Sequence, residues 1–89
     1  MENPNMKALR EKAMRLPLTP GVYLMKDAEG KIIYIGKAKA LKNRVSQYFG
    51  SQNTHPAKVR RMVEHVRDFD YIMTDSEFEA LVLECSLIK

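Results

Sequence analysis

The sequence is poor in residues that cross-link or interrupt a chain, with one cysteine, four glycines and four prolines among 89 residues. A single cysteine excludes an internal disulfide and any metal cluster made of cysteines alone, and it is typical of a reducing compartment. No apolar run is long enough for a signal peptide or a membrane span. We therefore expect a cytoplasmic protein, and the length predicts that residues 1–89 form a single domain.

Acidic residues are almost missing from the middle of the sequence. Residues 31–67 carry nine lysines and arginines but only one acid, Glu64, whereas residues 68–89 carry six acids and one lysine. A basic block of this kind attracts polyanions, above all nucleic acid. A solvated helix surface accounts for it equally well, so charge alone leaves both interpretations open.

Hydrophobic periodicity and turn residues predict seven secondary-structure elements in the order αββααβα. This order is typical of a small α/β sandwich in which helices flank a three-stranded antiparallel sheet. Helices are predicted over residues 4–16, 38–49, 56–66 and 76–88, and strands over residues 21–25, 31–35 and 68–74.

Two tyrosines lie on the strands of the predicted hairpin. If residues 27–30 form its loop, Tyr23 pairs with Tyr34, and both phenols stand on one face of the sheet. Gly36 then ends the second strand and leaves the approach to Tyr34 open. An ordinary aromatic pair in the core is the alternative, although the basic helix that follows weakens it.

The predicted second helix brings cations towards these tyrosines. Arg44 and Tyr48 are four residues apart, so their side chains can touch, and helical spacing puts Lys37 on the same side. Arg44 lies at the rim of the apolar face, where it either snorkels to solvent or points at the tyrosines. Gly50 is expected to end this helix.

A carboxylate interrupts the apolar face of the last helix. Glu84 lies between Leu83 and Leu87, and carboxylates are rarely buried unless they are paired or bind a metal. One interpretation is a structural ion pair with Arg44 or Lys37. The other is a ligand for a hard divalent cation.

These residues together resemble a known family. The chain resembles the GIY-YIG nucleases in two motifs, Gly21-Val22-Tyr23 and Tyr34-Ile35-Gly36, and in the residues that follow them, Lys37, Arg44, Tyr48 and Glu84. The sequence from Leu16 to Lys89 looks like the UvrC branch of that family. The resemblance implies a GIY-YIG-type sandwich that forms the N-terminal domain of a longer protein. It also implies a divalent-metal-dependent DNA endonuclease that makes the 3′-side incision in nucleotide excision repair. Its substrate would be damaged double-stranded DNA and its partner UvrB, with UvrA acting upstream.

The resemblance also implies a role for each matching residue. Tyr34 would handle the proton of the attacking water, Arg44 would stabilise the scissile phosphate, and Glu84 would hold one Mg²⁺ or Mn²⁺ ion. Supporting roles at the site fall to the remaining matches, Tyr23, Lys37, Tyr48, Gly21 and Gly36.

Tyrosine is a poor base at neutral pH because, with a reference pKa of about 10, only about 0.1% of it is ionised at pH 7. We expect Lys37 or Arg44 to lower the pKa of Tyr34, since one nearby cation supplies enough Coulomb energy. His55 and His65 lack partners at zinc-binding spacing. Contacts with the DNA backbone are expected from other exposed cations, namely Lys39, Lys42, Lys58, Arg60 and Arg61.

Three other functions compete with a repair nuclease: a non-catalytic nucleic-acid-binding module, a homing endonuclease and a structural interaction domain. The joint presence of Tyr34, Arg44 and Glu84 argues against the first and the third. Two departures from the UvrC pattern are Ser86, where asparagine is common, and an asparagine expected beyond Lys89. For the second reason we expect the chain alone to be weakly active or inactive. The nuclease interpretation requires the phenol, guanidinium and carboxylate to surround one cavity.

Overall fold

The computed structural model describes residues 5–50 and 55–88, and within these ranges the elements follow the predicted order αββααβα. None of the helices in these ranges is long and apolar enough to cross a membrane. The elements are α1 (Met6–Ala13), β1 (Gly21–Lys26), β2 (Ile32–Ala38), α2 (Leu41–Tyr48), α3 (Ala57–His65), β3 (Asp68–Met73) and α4 (Glu77–Ile88).

The three strands form one antiparallel sheet in the order β2-β1-β3, so that β2 and β3 are its edges. Alternation along β1 gives the sheet two apolar faces. Tyr23 and Met25 pack into the larger core with residues of α1, α2 and α3, whereas Val22 and Leu24 pack against Ala80 of α4 on the opposite face. The helices therefore cover both faces of the sheet, as expected of an α/β sandwich.

The predicted bounds of the second helix are wrong at its start. Strand β2 continues to Ala38, which pairs with Gly21, and α2 begins only at Leu41. Lys37 therefore belongs to the strand. The helix ends at Tyr48, where the Phe49 N–H donates to the Ser46 carbonyl. Gly50 does not supply the expected left-handed cap, because Gly30 alone has a positive φ among the described residues.

The predicted pairing of Tyr23 with Tyr34 is also wrong. Tyr23 lies opposite Gly36, and Tyr34 lies opposite Met25. The loop is longer than expected because Asp27 Oδ1 accepts hydrogen bonds from the N–H groups of Glu29 and Lys31, and the register shifts at Met25 and Lys26. The total offset is two positions, which preserves the alternation, so both tyrosines still project from the same face.

Gly36 allows the ring of Tyr23 to lie directly on β2. A Cβ atom at residue 36 would overlap the hydroxyl and ring carbons of Tyr23, which is 2% exposed. The glycine therefore makes room for Tyr23 of the neighbouring strand, a contact that we did not predict. Gly21 has a similar steric role, since a Cβ there would meet the Ile72 carbonyl and the side chain of Leu41.

Gly36→Ala is expected to lower the free energy of unfolding by about 1–3 kcal/mol, because overpacking displaces Tyr23. Denaturant unfolding followed by circular dichroism measures the change. Gly50→Ala is the matched control, since a Cβ there would meet its nearest atom at 3.5 Å. Equal stability of Gly36→Ala and the wild-type protein would contradict this packing role.

Candidate active site

Three tyrosine rings lie together on the face of the sheet that α2 covers. The ring centroid of Tyr23 lies 5.5 Å from that of Tyr48 and 6.2 Å from that of Tyr34, and the centroids of Tyr34 and Tyr48 are 6.2 Å apart. The hydroxyls of Tyr23 and Tyr48 are 2.7 Å apart, so one donates to the other. Both are buried, whereas Tyr34 is 41% exposed.

Tyr23, one member of the hydrogen-bonded pair, positions Tyr34 but does not itself take up a proton. Burial, followed by the hydrogen bond with Tyr48, raises the pKa of Tyr23 far above its ordinary value. Tyr23 therefore stays neutral in the pH range of enzymes. Its ring stacks on Tyr34 at an interplanar angle of 30°, which fixes the position of the exposed phenol.

Helix α2 carries Arg44, the cation that we expected to act together with this tyrosine cluster. Leu41, Val45 and Tyr48 face the core, and Arg44 lies one turn before Tyr48 on the exposed side. Within the described part of the chain, Arg44 makes no ion pair, so its guanidinium is available to an anion. Our expectation that Lys37 lies on the same side as the tyrosines is wrong, because Lys37 belongs to β2 and pairs with Val22, which puts it on the face opposite Tyr34.

Helix α4 lies across the sheet from the tyrosines, which sequence reasoning did not predict. Its Ala80 and Leu83 pack on Val22, Leu24 and Ile35. Because β2 is an edge strand, a side chain on the flank of α4 can reach round the edge to the other face. Glu84 is half-buried there.

Glu84 forms no ion pair with Arg44 or Lys37 within residues 5–50 and 55–88. A structural ion pair was the competing interpretation of this carboxylate, and it is absent here. The carboxylate therefore remains a candidate ligand for a hard divalent cation.

The electrostatics of Tyr34 connect the three candidate residues. Burial, the adjacent Tyr48 and the carboxylate of Glu84 raise the pKa of Tyr34, and the guanidinium of Arg44 lowers it in part. The Tyr34 phenol, at the outer edge of β2, therefore interacts electrostatically with Arg44 of α2 and with Glu84 of α4. Our expectation that Lys37 or Arg44 leaves this pKa below its ordinary value is wrong, because burial and negative charge outweigh the arginine.

A cavity of about 370 Å³ opens beside this edge. One wall is cationic, with Lys37, Lys39 and Arg44. The other is formed by the first turns of α4, where the Ser76 hydroxyl accepts a hydrogen bond from the Glu79 N–H and so caps the helix. Of the three groups that we expected around one cavity, only Arg44 lines this one; Tyr34 does not, and Glu84 lies one helical turn beyond the lining residue Ala80.

The cavity includes two residues that we did not predict as site residues, Glu77 and Phe78. Glu77 had a weak signal, because it precedes Glu84 by seven residues and so shares its side of the helix. Phe78 had none, since α4 is apolar around most of its circumference and an exposed phenylalanine there resembles a core residue.

The other predicted cations divide between two surfaces. Lys39 lines the cavity beside Arg44. Lys58 and Arg61 line a separate groove of about 550 Å³ between α3 and the β1–β2 hairpin. Arg60 is exposed and Lys42 half-buried, and neither lines these two cavities.

The described histidines have local structural contacts. His55 stacks on Tyr48 with a centroid distance of 6.1 Å, and its Nε2 lies 2.9 Å from the Gln47 carbonyl oxygen. His65 Nδ1 lies 2.9 Å from the Arg61 carbonyl oxygen in its own helix. No group of three or more metal-binding side chains occurs among the described residues.

A single divalent ion of the Mg²⁺ type nevertheless fits this site. Mg²⁺ binds through one or two carboxylates and keeps several waters, which substrate phosphates can replace. Glu84 would offer one hard oxygen ligand, and it forms no ion pair with another residue in the part of the chain that the structure describes. Burial is the largest cause of the raised pKa of Tyr34, and the Glu84 carboxylate contributes to it, so this carboxylate lies near the phenol. The fold and the site together define a small α/β domain that is equipped to act on a phosphate group.

Comparisons with known proteins identify the family. The model of the UvrC-like GIY-YIG domain matches residues 19–89. UvrABC system protein C from Caldanaerobacter subterraneus subsp. tengcongensis is 64% identical over 81 residues, which are 91% of this chain and 13% of that protein. The Clostridium kluyveri protein of the same name is 65% identical over 74 residues, 83% of this chain and 12% of that protein. The chain thus spans about an eighth of the length of these relatives.

A solved structure agrees with the same family. The GIY-YIG N-terminal endonuclease domain of UvrC from Thermotoga maritima, bound to its catalytic magnesium, is 40% identical and has a TM-score of 0.80. The match covers 92% of this chain and 88% of that one. Versions of that domain with single tyrosine-to-phenylalanine substitutions are also bound to the catalytic divalent cation. The chain described here belongs to the UvrC-like GIY-YIG domain family.

Proposed function

We propose that residues 1–89 form one GIY-YIG endonuclease domain of a longer protein, and that it hydrolyses DNA phosphodiester bonds with the help of a single Mg²⁺ or Mn²⁺ ion. The observation that carries this proposal is the half-exposed Tyr34, stacked against the buried and hydrogen-bonded Tyr23 and Tyr48, on the edge strand β2, with Arg44 one turn before Tyr48 and Glu84 close enough to contribute to the raised pKa of Tyr34. Membership of the UvrC-like family and the magnesium bound to the Thermotoga maritima domain support it.

Tyr34 acts on the proton of the attacking water. Its hydroxyl is exposed and is held in place by the rings of Tyr23 and Tyr48. Because its pKa is raised, the phenol is neutral at pH 7 and must lose its own proton before it can accept one from water; positive charge nearby favours that loss. Arg44 supplies part of that charge, and also binds the phosphate whose charge grows in the transition state.

Glu84 holds the divalent ion. When bound, the ion neutralises the carboxylate beside Tyr34, supplies positive charge for the phosphate and the leaving oxygen, and lowers the pKa of a bound water. Lys37 and Lys39 add positive charge on the adjacent cavity wall. We assign DNA backbone contacts to Lys39, Lys42, Lys58, Arg60 and Arg61 because exposed cations neutralise phosphates without reading sequence.

The role within repair is the finer part of the proposal. High identity to UvrABC system protein C supports a function in nucleotide excision repair, in which this domain makes the incision on the 3′ side of damage in double-stranded DNA. UvrB is then the immediate partner, UvrA acts upstream, and the cytoplasm is the expected location. A binding module without catalysis is less well supported, because such a module has no need of Tyr34 and Glu84 together.

Tyr34→Phe removes the proton-accepting hydroxyl while it preserves the stacked rings. Nicking should fall by at least about a hundredfold, the usual contribution of a positioned base, with unchanged DNA affinity. Nicking of a lesion-containing duplex by the full-length protein with UvrA, UvrB and Mg²⁺ measures the rate. Tyr71→Phe is the matched control, since Tyr71 is also 41% exposed but lies on the other edge strand. Wild-type nicking by Tyr34→Phe would refute the role.

Glu84→Gln removes the charged ligand but keeps the size of the side chain. We expect Mn²⁺ binding, measured by electron paramagnetic resonance on the chain, to weaken by at least about tenfold, because a neutral amide binds hard cations poorly. Glu79→Gln, an exposed position on the same helix, should bind Mn²⁺ like the wild type. If both variants gave the same Mn²⁺ titration as the wild type, Glu84 would not be the ligand.

A further inference from the structure

Phe78 is the most exposed large apolar side chain in the described ranges, with 73% of its surface accessible. It lies in the first turn of α4 and borders the cavity whose other wall holds Lys37, Lys39 and Arg44. Packing within the described domain does not require an aromatic ring at this position. Three cations beside an unburied aromatic ring are a combination that single-stranded nucleic acids recognise, through backbone charge and base stacking.

The two walls of the cavity differ in charge and polarity. The cationic wall suits a phosphate, whereas the wall from α4 offers the Phe78 ring and the Glu77 carboxylate, which would repel a phosphate. A carboxylate can accept a hydrogen bond from the exocyclic amino group of a base. A nucleotide has the matching polarity, with its phosphate at one end and its base at the other. The volume of about 370 Å³ also lies within the range of about 300–1,000 Å³ that is typical of small-ligand sites.

We propose that this cavity binds one unpaired nucleotide beside the scissile phosphate, with its base stacked on Phe78 and its base edge facing Glu77. The inference rests on the proposed nuclease function, because Arg44 serves both the scissile phosphate and the cavity. A base inside a duplex stack cannot reach Phe78, so the contact selects DNA that is locally unpaired at the cut. Phe78 is thus a specificity-determining residue of the domain.

The test is the affinity of the chain for a bubble-containing oligonucleotide and for an intact duplex, measured by fluorescence anisotropy in EDTA to prevent cleavage. Phe78→Ala should weaken binding to the bubble by about five- to hundredfold, the usual effect of losing one stacked base, and should change duplex binding less than about twofold. Phe78→Trp should restore the affinity. Both variants should stay folded, since the side chain is mostly exposed.

Abasic nucleotides locate the contact. At one unpaired position, an abasic nucleotide should weaken binding to the wild-type chain but have no effect on Phe78→Ala, because the stacking partner is already lost. Val82→Ala is the matched control, because Val82 is 50% exposed on the same helix and shares a neighbouring groove with Phe78 but does not line the proposed nucleotide cavity. It should bind like the wild type.

Different failures have different meanings. If Phe78→Ala binds the bubble like the wild type while Arg44→Ala binds it weakly, the stacking role is wrong and the nuclease proposal stands. If Phe78→Ala and Val82→Ala weaken binding equally, the effect belongs to the apolar surface of α4, as a protein-docking face would show, and the nucleotide site is refuted. If the wild-type chain binds neither DNA, both proposals fail.

Discussion

The packing of Tyr23 on Gly36 is the constraint on which the site depends. Because residue 36 lacks a Cβ atom, the Tyr23 ring lies on the neighbouring strand, where its hydroxyl is 2.7 Å from that of Tyr48. This contact joins β1, β2 and α2 through one buried hydrogen bond. It fixes the direction of α2, and with it Arg44, and provides the ring on which Tyr34 stacks. The two glycine-tyrosine motifs therefore depend on each other sterically, because Gly36 of the second motif leaves the space that the ring of Tyr23 of the first motif occupies.

The site forms at a sheet edge because its parts come from opposite faces. Tyr34 and Arg44 belong to the side that α2 covers, whereas Glu84 and Lys37 belong to the side that α4 covers. The outer edge of β2 is the one place where these side chains can meet while the core on each face stays closed. An edge is also open to a long polyanion, which an enclosed pocket would exclude. Burial at this edge, with the adjacent Tyr48 and the Glu84 carboxylate, raises the pKa of Tyr34, and Arg44 lowers it in part.

Element order and antiparallel pairing follow from the sequence, because periodicity and turn residues are local signals. The hairpin register does not, since the side chain of Asp27 enlarges the loop and an irregularity shifts the strands by a further position. The prediction that both tyrosines share a face survived because the offset is even. The position of α4 across the sheet and the raised pKa of Tyr34 depend on tertiary packing. Phe78 gave no signal, since a pattern of apolar residues does not distinguish buried from exposed rings.

The most direct test of a shared site is the titration of Tyr34 in chain labelled with ¹³C at tyrosine Cζ, followed by NMR without divalent ions. In the wild type we expect the pKa of Tyr34 to lie above its ordinary value. Glu84→Gln should lower this pKa by removing a negative charge, Arg44→Ala should raise it, and Glu79→Gln should leave it unchanged. If Tyr34 titrates identically in the wild type, Glu84→Gln and Arg44→Ala, the three groups do not share a site, and the nuclease mechanism proposed for this domain is wrong.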